Sequence, residues 1–357
     1  MKIVRLTTLL DFGGIESKMA NLSSFTDDAN DWIFCAIGKG GVAEQKIINN
    51  KKSVICFYLP YKIPSILTVS KLFFYFKKLK PHVVHTSGAE ANFHGVLAAK
   101  LANVPVIIAE EIGIPNHSKK ARFIFNWIYK LSDYVIGESD SVVENLKNKY
   151  KIDAIKLKVI SNFTLFSGDK KVSLAVENEG FKILSVSRLE PVKNIEGIIN
   201  AVHRLKKENI KIKYTIVGDG SLKETIQKQI AELQLEREIT LEGFKNNTSH
   251  YFMETDLYIL NSFSEGFSNS LLEAMYYKKP SITTAVGAAN EIIENGSNGW
   301  IINVDDENEL YHKIKYVIGM ETERRNEIGV KANETVVSNY SLQSHVDSLL
   351  ALYKSKL

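Results

Sequence analysis

Apolar and polar positions alternate in blocks along the chain. In the first half, short β-rich apolar runs fall at 2–8 (KIVRLTT), 32–37, 53–59, 82–85 (HVVH), 105–109 (PVIIA) and 134–137. Segments of helical period lie between them, among them 89–102 and 119–131. This order of strand, helix, strand predicts a parallel sheet covered on both faces, with functional groups at the C-terminal ends of its strands. The second half repeats the pattern. Strands are predicted at 181–187 (FKILSVS), 213–218 (KYTIVG), 256–261 (DLYILN) and 281–285 (SITTA), with helices at 195–207, 222–235 and 268–277.

Between the halves lies 167–180 (SGDKKVSLAVENEG), polar, glycine-flanked and weakly periodic, which reads as a linker. The fold class expected is therefore α/β: two Rossmann-like domains facing each other across a cleft, with a ligand between them. The boundaries expected are 1–166, the linker, and 181–340, with a helix at about 341–357 packing back on the first domain.

A length of 357 residues agrees with two domains, and 45% hydrophobic with 24% charged residues is an ordinary globular mix. Cys35 and Cys56 form no metal or disulfide pattern and read as buried free thiols of a reducing compartment. No apolar run is long enough to span a membrane, and the N-terminal residues lack a signal-peptide core, so a cytoplasmic location is expected. The net charge of +4 conceals an asymmetry: residues 1–162 carry +8 and the remainder −4. A basic front half suits an anionic substrate or surface.

Four loops carry candidate chemistry. After the first strand, Asp11-Phe12-Gly13-Gly14 lets a backbone approach a phosphate at a helix N-terminus, or forms a plain tight turn. In SVSRLEPVKN, Arg188 and Lys193 flank a proline turn at a strand end, where two cations could neutralise a diphosphate or stand solvated. IVGDG places Gly220 in a strand-to-helix turn that could approach a base or ribose. In NSFSEGFSNSLLEAM, Glu265 precedes a helix and Glu273 lies inside it, with the amides of Gly266, Phe267 and Ser268 free to meet an anion.

With these segments in view, the chain resembles family 4 glycosyltransferases, retaining and nucleotide-sugar-dependent enzymes of the GT-B fold, here of the bacterial surface-polysaccharide type. The resemblance rests on Gly13-Gly14, HVVH, SRLEPVKN, IVGDG, SEGFSNSLLEAM and the 278–306 segment, and covers nearly the whole chain. It implies that Gly14 contacts phosphate and that Arg188 and Lys193 bind the diphosphate and stabilise the leaving nucleotide. Glu265 would hold donor-sugar hydroxyls and Glu273 the ribose, with backbone amides supplied by Gly266–Ser268 and Gly220 near the base. It implies hexosyl or N-acetylhexosaminyl transfer in lipopolysaccharide, O-antigen or capsule synthesis. Two alternatives stay open: a nucleotide-sugar 2-epimerase of the same fold, and a non-catalytic sugar-nucleotide-binding subunit.

Ser87 stands where many relatives have a second histidine after His85. Glu110 and Glu111 occupy the loop expected after PVIIA, where they and His85 are acceptor-side candidates or a base. No Asp-x-Asp is present, so metal-independent transfer without a cofactor is expected, with Arg188, Lys193 and a helix N-terminus supplying the charge. Two basic aromatic stretches, 71–80 and 118–132, suggest helices whose aromatics mostly pack on the sheet while their cations face an anionic membrane and a lipid-linked glycan acceptor. This places the protein peripherally on the inner face of the cytoplasmic membrane. Nucleic acid is not an expected partner, because the chain carries no recognised nucleic-acid-binding module.

Overall fold

The computed structural model describes residues 1–115, 117–165 and 180–357, so the expected linker lies outside the described residues except for Gly180. The chain forms two compact units. One takes Met1–Leu165 and Leu342–Leu357; the other ends at Ser341.

The first unit alternates strands and helices: β1 (Lys2–Thr7), α1 (Gly14–Leu22), β2 (Asp31–Ala36), α2 (Val42–Asn49), β3 (Ser53–Cys56), α3 (Ile66–Leu79), β4 (Val83–Ser87), α4 (Ala89–Leu101), β5 (Val106–Glu111), α5 (Lys119–Leu131), β6 (Tyr134–Gly137), α6 (Asp140–Tyr150) and β7 (Leu157–Val159). Its strands pair in parallel in the order β3-β2-β1-β4-β5-β6-β7. The order reverses beside β1, so the loop carrying Gly13 and Gly14 leaves the sheet at its switch point, where open α/β sheets bind ligands.

The second unit contains β8 (Phe181–Val186), α7 (Ile195–Lys207), β9 (Ile212–Val217), α8 (Lys223–Glu232), β10 (Ile239–Gly243), α9 (Ser249–Glu254), β11 (Leu257–Leu260), α10 (Asn269–Tyr276), β12 (Ser281–Thr284), α11 (Ala289–Ile292), β13 (Trp300–Ile302), α12 (Glu307–Ile318) and α13 (Thr322–Asn339). Its strands are also parallel, in the order β10-β9-β8-β11-β12-β13. The switch here falls beside β8, which feeds the loop with Arg188 and Lys193. The last helix, α14 (Leu342–Lys354), belongs to the first unit.

Period-two alternation sorts β1 between the two faces of its sheet. Val4 and Leu6 pack with Leu72, Phe76 and Val96 of α3 and α4. Ile3 packs on the other face with Met19 of α1 and with Val346, Leu349 and Tyr353 of α14. Arg5 shares the face of Ile3 and is wholly buried. An unpaired charge there would cost several kcal/mol, so its partners decide whether the fold is stable.

Those partners come from β4, β5 and α14, and Lys18 of α1 joins the same cluster. Arg5 donates to Glu110 Oε2 at 3.0 Å, and Lys18 donates to Glu110 Oε1 at 2.7 Å and to Glu138 Oε1 at 2.6 Å. Arg5 also reaches His85 Nδ1 at 2.6 Å, and the Tyr353 hydroxyl lies 2.7 Å from the same nitrogen. Guanidinium only donates, so Nδ1 is the acceptor and the proton sits on Nε2, 3.3 Å from Glu110 Oε2. Burial pushes the Glu110 carboxyl up, but Lys18 and Arg5 overcome it and hold it well below the usual carboxylate range. Burial and Arg5 press His85 down to about 4, which keeps it neutral.

Cys56 is only partly buried, unlike Cys35, which corrects the expectation of two buried thiols. Burial pushes both thiols up to about 12, so neither is a reactive thiolate. Most aromatics of 71–80 and 118–132 pack inward as expected, Phe73 and Tyr75 lying partly buried against the core. Phe76, Phe125 and Tyr129 are buried, whereas Phe74, Phe123 and Trp127 are exposed.

Glu110→Gln leaves Arg5 and Lys18 sharing one carboxylate. We expect a loss of about 3–5 kcal/mol, the usual cost of breaking a buried pair. Urea unfolding measures it, and a loss under about 1 kcal/mol would contradict this account.

Candidate functional site

In the second unit, three loops at the C-terminal ends of neighbouring strands are stitched to one another. The loop after β11 donates from Phe263 N to Val192 O of the β8 loop at 2.8 Å. Asn261 Nδ2 donates to Asn194 O at 3.3 Å, and the Thr284 hydroxyl of β12 donates to Ser262 O at 2.6 Å. Ala288 N donates to Gly266 O at 3.0 Å. Gly287 lies at φ +56°, and a Cβ there would meet Gly266 O at 2.5 Å and Glu265 O at 2.6 Å. Only glycine admits that approach, so the position of Glu265 depends on it.

Lys193 and Glu265 form an ion pair, and Ser262 Oγ donates to the same carboxylate oxygen at 3.1 Å. Arg188 is exposed and pairs with no carboxylate among the described residues. Ser268 caps α10, its hydroxyl accepting from Leu271 N at 3.3 Å. The amides of Gly266, Phe267 and Ser268 take no partner among the described residues, so three donors and a helix N-terminus stand next to the Lys193–Glu265 pair. That set can bind and neutralise a polyanion.

Glu273 sits one turn further along α10. Burial raises its carboxyl, opposed by Thr248, whose hydroxyl lies 3.4 Å away. Thr248 brings the loop after β10 to this carboxylate, a contact that sequence reasoning missed because the strand before it was itself not predicted. Gly220 packs against the Leu189 backbone, where a Cβ would meet Leu189 O at 2.5 Å. Its glycine is thus required by the close approach of two protein loops.

In the first unit, Gly13 takes φ +149° as the cap of α1, and a Cβ there would collide with the Glu16 carboxylate. Around Gly14 a Cβ would meet nothing within 4 Å, so this position opens to solvent. His85 and Glu110 do not reach solvent. Glu110 and Glu111 lie within β5 rather than in a loop after it, and consecutive strand residues point to opposite faces. Glu110 therefore enters the Arg5–Lys18 network, where Ser87 Oγ also donates to it at 2.5 Å. Lys18, Glu138 and Arg5 carried no sequence signal for this role, apart from an arginine inside an apolar run.

Glu111 takes the other face. Its Oε1 accepts from the Tyr129 hydroxyl at 2.6 Å and from Asn92 Nδ2 at 2.7 Å. Burial pushes its carboxyl up to about 7 against these two bonds. It is the one acceptor-side candidate that titrates near neutral pH.

Two doubly wound parallel units, with loops gathered at the C-terminal ends of their strands, define a class of α/β proteins that bind ligands at those ends. Comparison with known proteins specifies it. Residues 12–164 match the model of Glycosyltransferase Family 4, and residues 167–335 match that of Glycosyl transferases group 1. The chain belongs to the family 4 glycosyltransferases and has their GT-B fold.

Among curated relatives, it is 27% identical over 238 residues to the N-acetylgalactosamine-N,N'-diacetylbacillosaminyl-diphospho-undecaprenol 4-alpha-N-acetylgalactosaminyltransferase of Campylobacter jejuni, covering 64% of each chain. It is 26% identical over 253 residues to the poly(ribitol-phosphate) alpha-N-acetylglucosaminyltransferase of Staphylococcus aureus, covering 69% of this chain and 51% of that one. The match thus spans less than two-thirds of either relative's length. Among solved structures, Anabaena HepE in complex with UDP superposes with TM-score 0.86 at 19% identity, over 99% of this chain and 100% of that one.

An acid raised by folding weakens the fold as it ionises. Between the unfolded value of 4.5 and about 7, native Glu111 keeps a proton that the unfolded chain has lost. Stability should fall as pH rises through that window, by on the order of 3 kcal/mol. Glu111→Gln keeps an acceptor for Tyr129 and Asn92 but cannot ionise. Urea midpoints at about pH 5 and pH 8 should drop less in the variant than in the wild type; equal drops would refute the assignment.

Proposed function

We propose that the chain transfers a hexosyl or N-acetylhexosaminyl group from a nucleotide diphosphate sugar to a hydroxyl of a glycan acceptor, with retention of anomeric configuration. The observation that carries this reading is the set of Arg188, Lys193 and the three free amides before α10. The diphosphate is the leaving group. The bond from the anomeric carbon to the phosphate oxygen breaks, and its electron pair passes to the diphosphate. The acceptor oxygen bonds to the same face of that carbon, and its proton passes to the departing phosphate. Arg188 and Lys193 oppose the charge that develops, the part otherwise given to a metal ion. Glu265 turns from Lys193 to the donor-sugar hydroxyls, Glu273 takes the ribose and Gly14 the phosphate. All three acceptor-side candidates are buried, and Glu111 is favoured by a carboxyl that burial raises to about 7.

The acceptor in this reading is lipid-linked and bacterial, within surface-polysaccharide synthesis. The diphospho-undecaprenol in the Campylobacter relative's name supports it. So does α5, whose Phe123, Ile124 and Trp127 face outward beside Lys119, Lys120 and Lys130. Among the described residues no helix is long and apolar enough to cross a membrane, so attachment is by a surface. That surface is the inner face of the cytoplasmic membrane.

Two measurements test the reading. Arg188→Ala should lower turnover by roughly 10²-fold or more in an assay run with EDTA, where the wild type keeps full activity. Wild-type turnover in the variant would remove the diphosphate role, and loss of wild-type activity with EDTA would remove the metal-free mechanism. For the membrane, Phe123→Ser with Trp127→Ser should weaken co-sedimentation with anionic vesicles by at least ~10-fold, the scale of losing two buried aromatics. Unchanged sedimentation would place the contact elsewhere.

A further inference from the structure

The loops after β1, β2 and β3 carry three exposed aromatic rings that neither the core nor the proposed donor site uses. Tyr58 is 72% exposed and Phe12 68%, and Tyr61 stands out beside them. These loops are zipped together. Gly38 N donates to Thr8 O at 2.9 Å, Leu10 N to Lys39 O at 3.1 Å, and Tyr58 N to Gly38 O at 3.1 Å. Lys39 Nζ then pairs with Asp11 Oδ2 at 2.8 Å, next to Phe12. Tyr61 lies against Gly38, where a Cβ would come within 3.2 Å of its ring.

Tyr58 adopts φ +54°. A bulky residue avoids this left-handed region unless its surroundings impose it, and such residues gather at functional sites. The backbone here is held so that a tyrosine ring points into water, although folding would favour covering it.

We infer that these three loops form a saccharide platform, on which sugar rings of the acceptor glycan stack against Tyr58, Phe12 and Tyr61 while Asp11 and Lys39 bind their hydroxyls. The occupant rests on the transferase reading. The chemistry of the patch selects it. A pyranose presents C–H groups on its flat face and hydroxyls around its rim. The negative face of an aromatic ring attracts the former, and an exposed ion pair offers a donor and an acceptor to the latter. The rings come from separate loops around the Asp11–Lys39 pair, whereas α5 sets its apolar side chains along one helix as a bilayer contact does. Asp11 also cancels the charge of Lys39, so that ion pair itself draws neither an anionic surface nor a free phosphate. It lies at the C-terminal ends of strands in the unit that carries Gly14 and Glu111.

A glycan array bearing hexose- and hexosamine-terminated bacterial saccharides tests the inference on the full-length protein. The wild type should retain a subset of the glycans. Tyr58→Asn keeps the left-handed backbone, which Asn tolerates, but removes the ring; it and Phe12→Ala should each weaken retention roughly three- to tenfold. Tyr58→Phe should retain the same glycans as the wild type. Stabilisation by UDP, read by thermal shift, should be unchanged in all three variants, which also shows that they fold. No glycan retained by the wild type, or equal retention by Tyr58→Asn and Phe12→Ala, would overturn the platform. So would variants that lose binding to anionic vesicles while keeping the glycans. Failure of UDP to stabilise even the wild type would fall on the transferase reading instead, since the array reads the first unit without donor.

Discussion

A single carboxylate, Glu110, holds the first unit together. It is buried between Arg5 and Lys18, and each pairing ties a different element to the sheet: β1 through Arg5, α1 through Lys18. Two cations and two carboxylates, Glu110 and Glu138, make the cluster electrically balanced, which a buried set must be. The neutral His85 and the hydroxyls of Ser87 and Tyr353 complete it. The direction of α1, and with it the Gly13-Gly14 loop, is therefore set by interior electrostatics as well as by apolar packing.

The second unit reaches a comparable rigidity by other means. Its loops are joined backbone to backbone, through Phe263 to Val192 and Ala288 to Gly266, and glycines occur where those backbones come closest. Such stitching leaves side chains free. Arg188 and the amides before α10 keep no internal partner among the described residues, and Lys193 has only an exchangeable one in Glu265. A preorganised loop with uncommitted donors is what an anionic ligand requires.

Much of this architecture was legible in the residues. Helices 119–131 and 195–207 coincide with α5 and α7, because strong apolar periodicity marks both. The strands that escaped notice, β7, β10 and β13, lie at sheet edges, as does β3, which was anticipated. β7 and β13 span three residues each, too few to show an alternation, and in β10 only Ile239 is buried. The loop residues around Arg188 and Glu265 were recognisable because sequence-local turns place them. The Arg5–Lys18–Glu110–Glu138 cluster was not. Its directly bonded members lie up to 120 residues apart, as Lys18 and Glu138 do, so no local pattern joins them. Glu110 and Glu111 show the limit most clearly: adjacent in the chain, they differ in burial partners and in acidity because β5 turns them to opposite faces.

The docking of α14 gives the chain an order of assembly. The hydroxyl of Tyr353 sits 2.7 Å from His85, yet 268 positions and the whole second unit separate the two in the chain. Without α14, one flank of the sheet face that carries Ile3 is bare, and Arg5 loses the Tyr353 hydroxyl while keeping Glu110, His85 and Ser87. The second unit, contiguous in sequence, can mature first. The first unit thus closes only after the second has been made, and a chain that lacks α14 would expose Ile3 and Met19 to quality control.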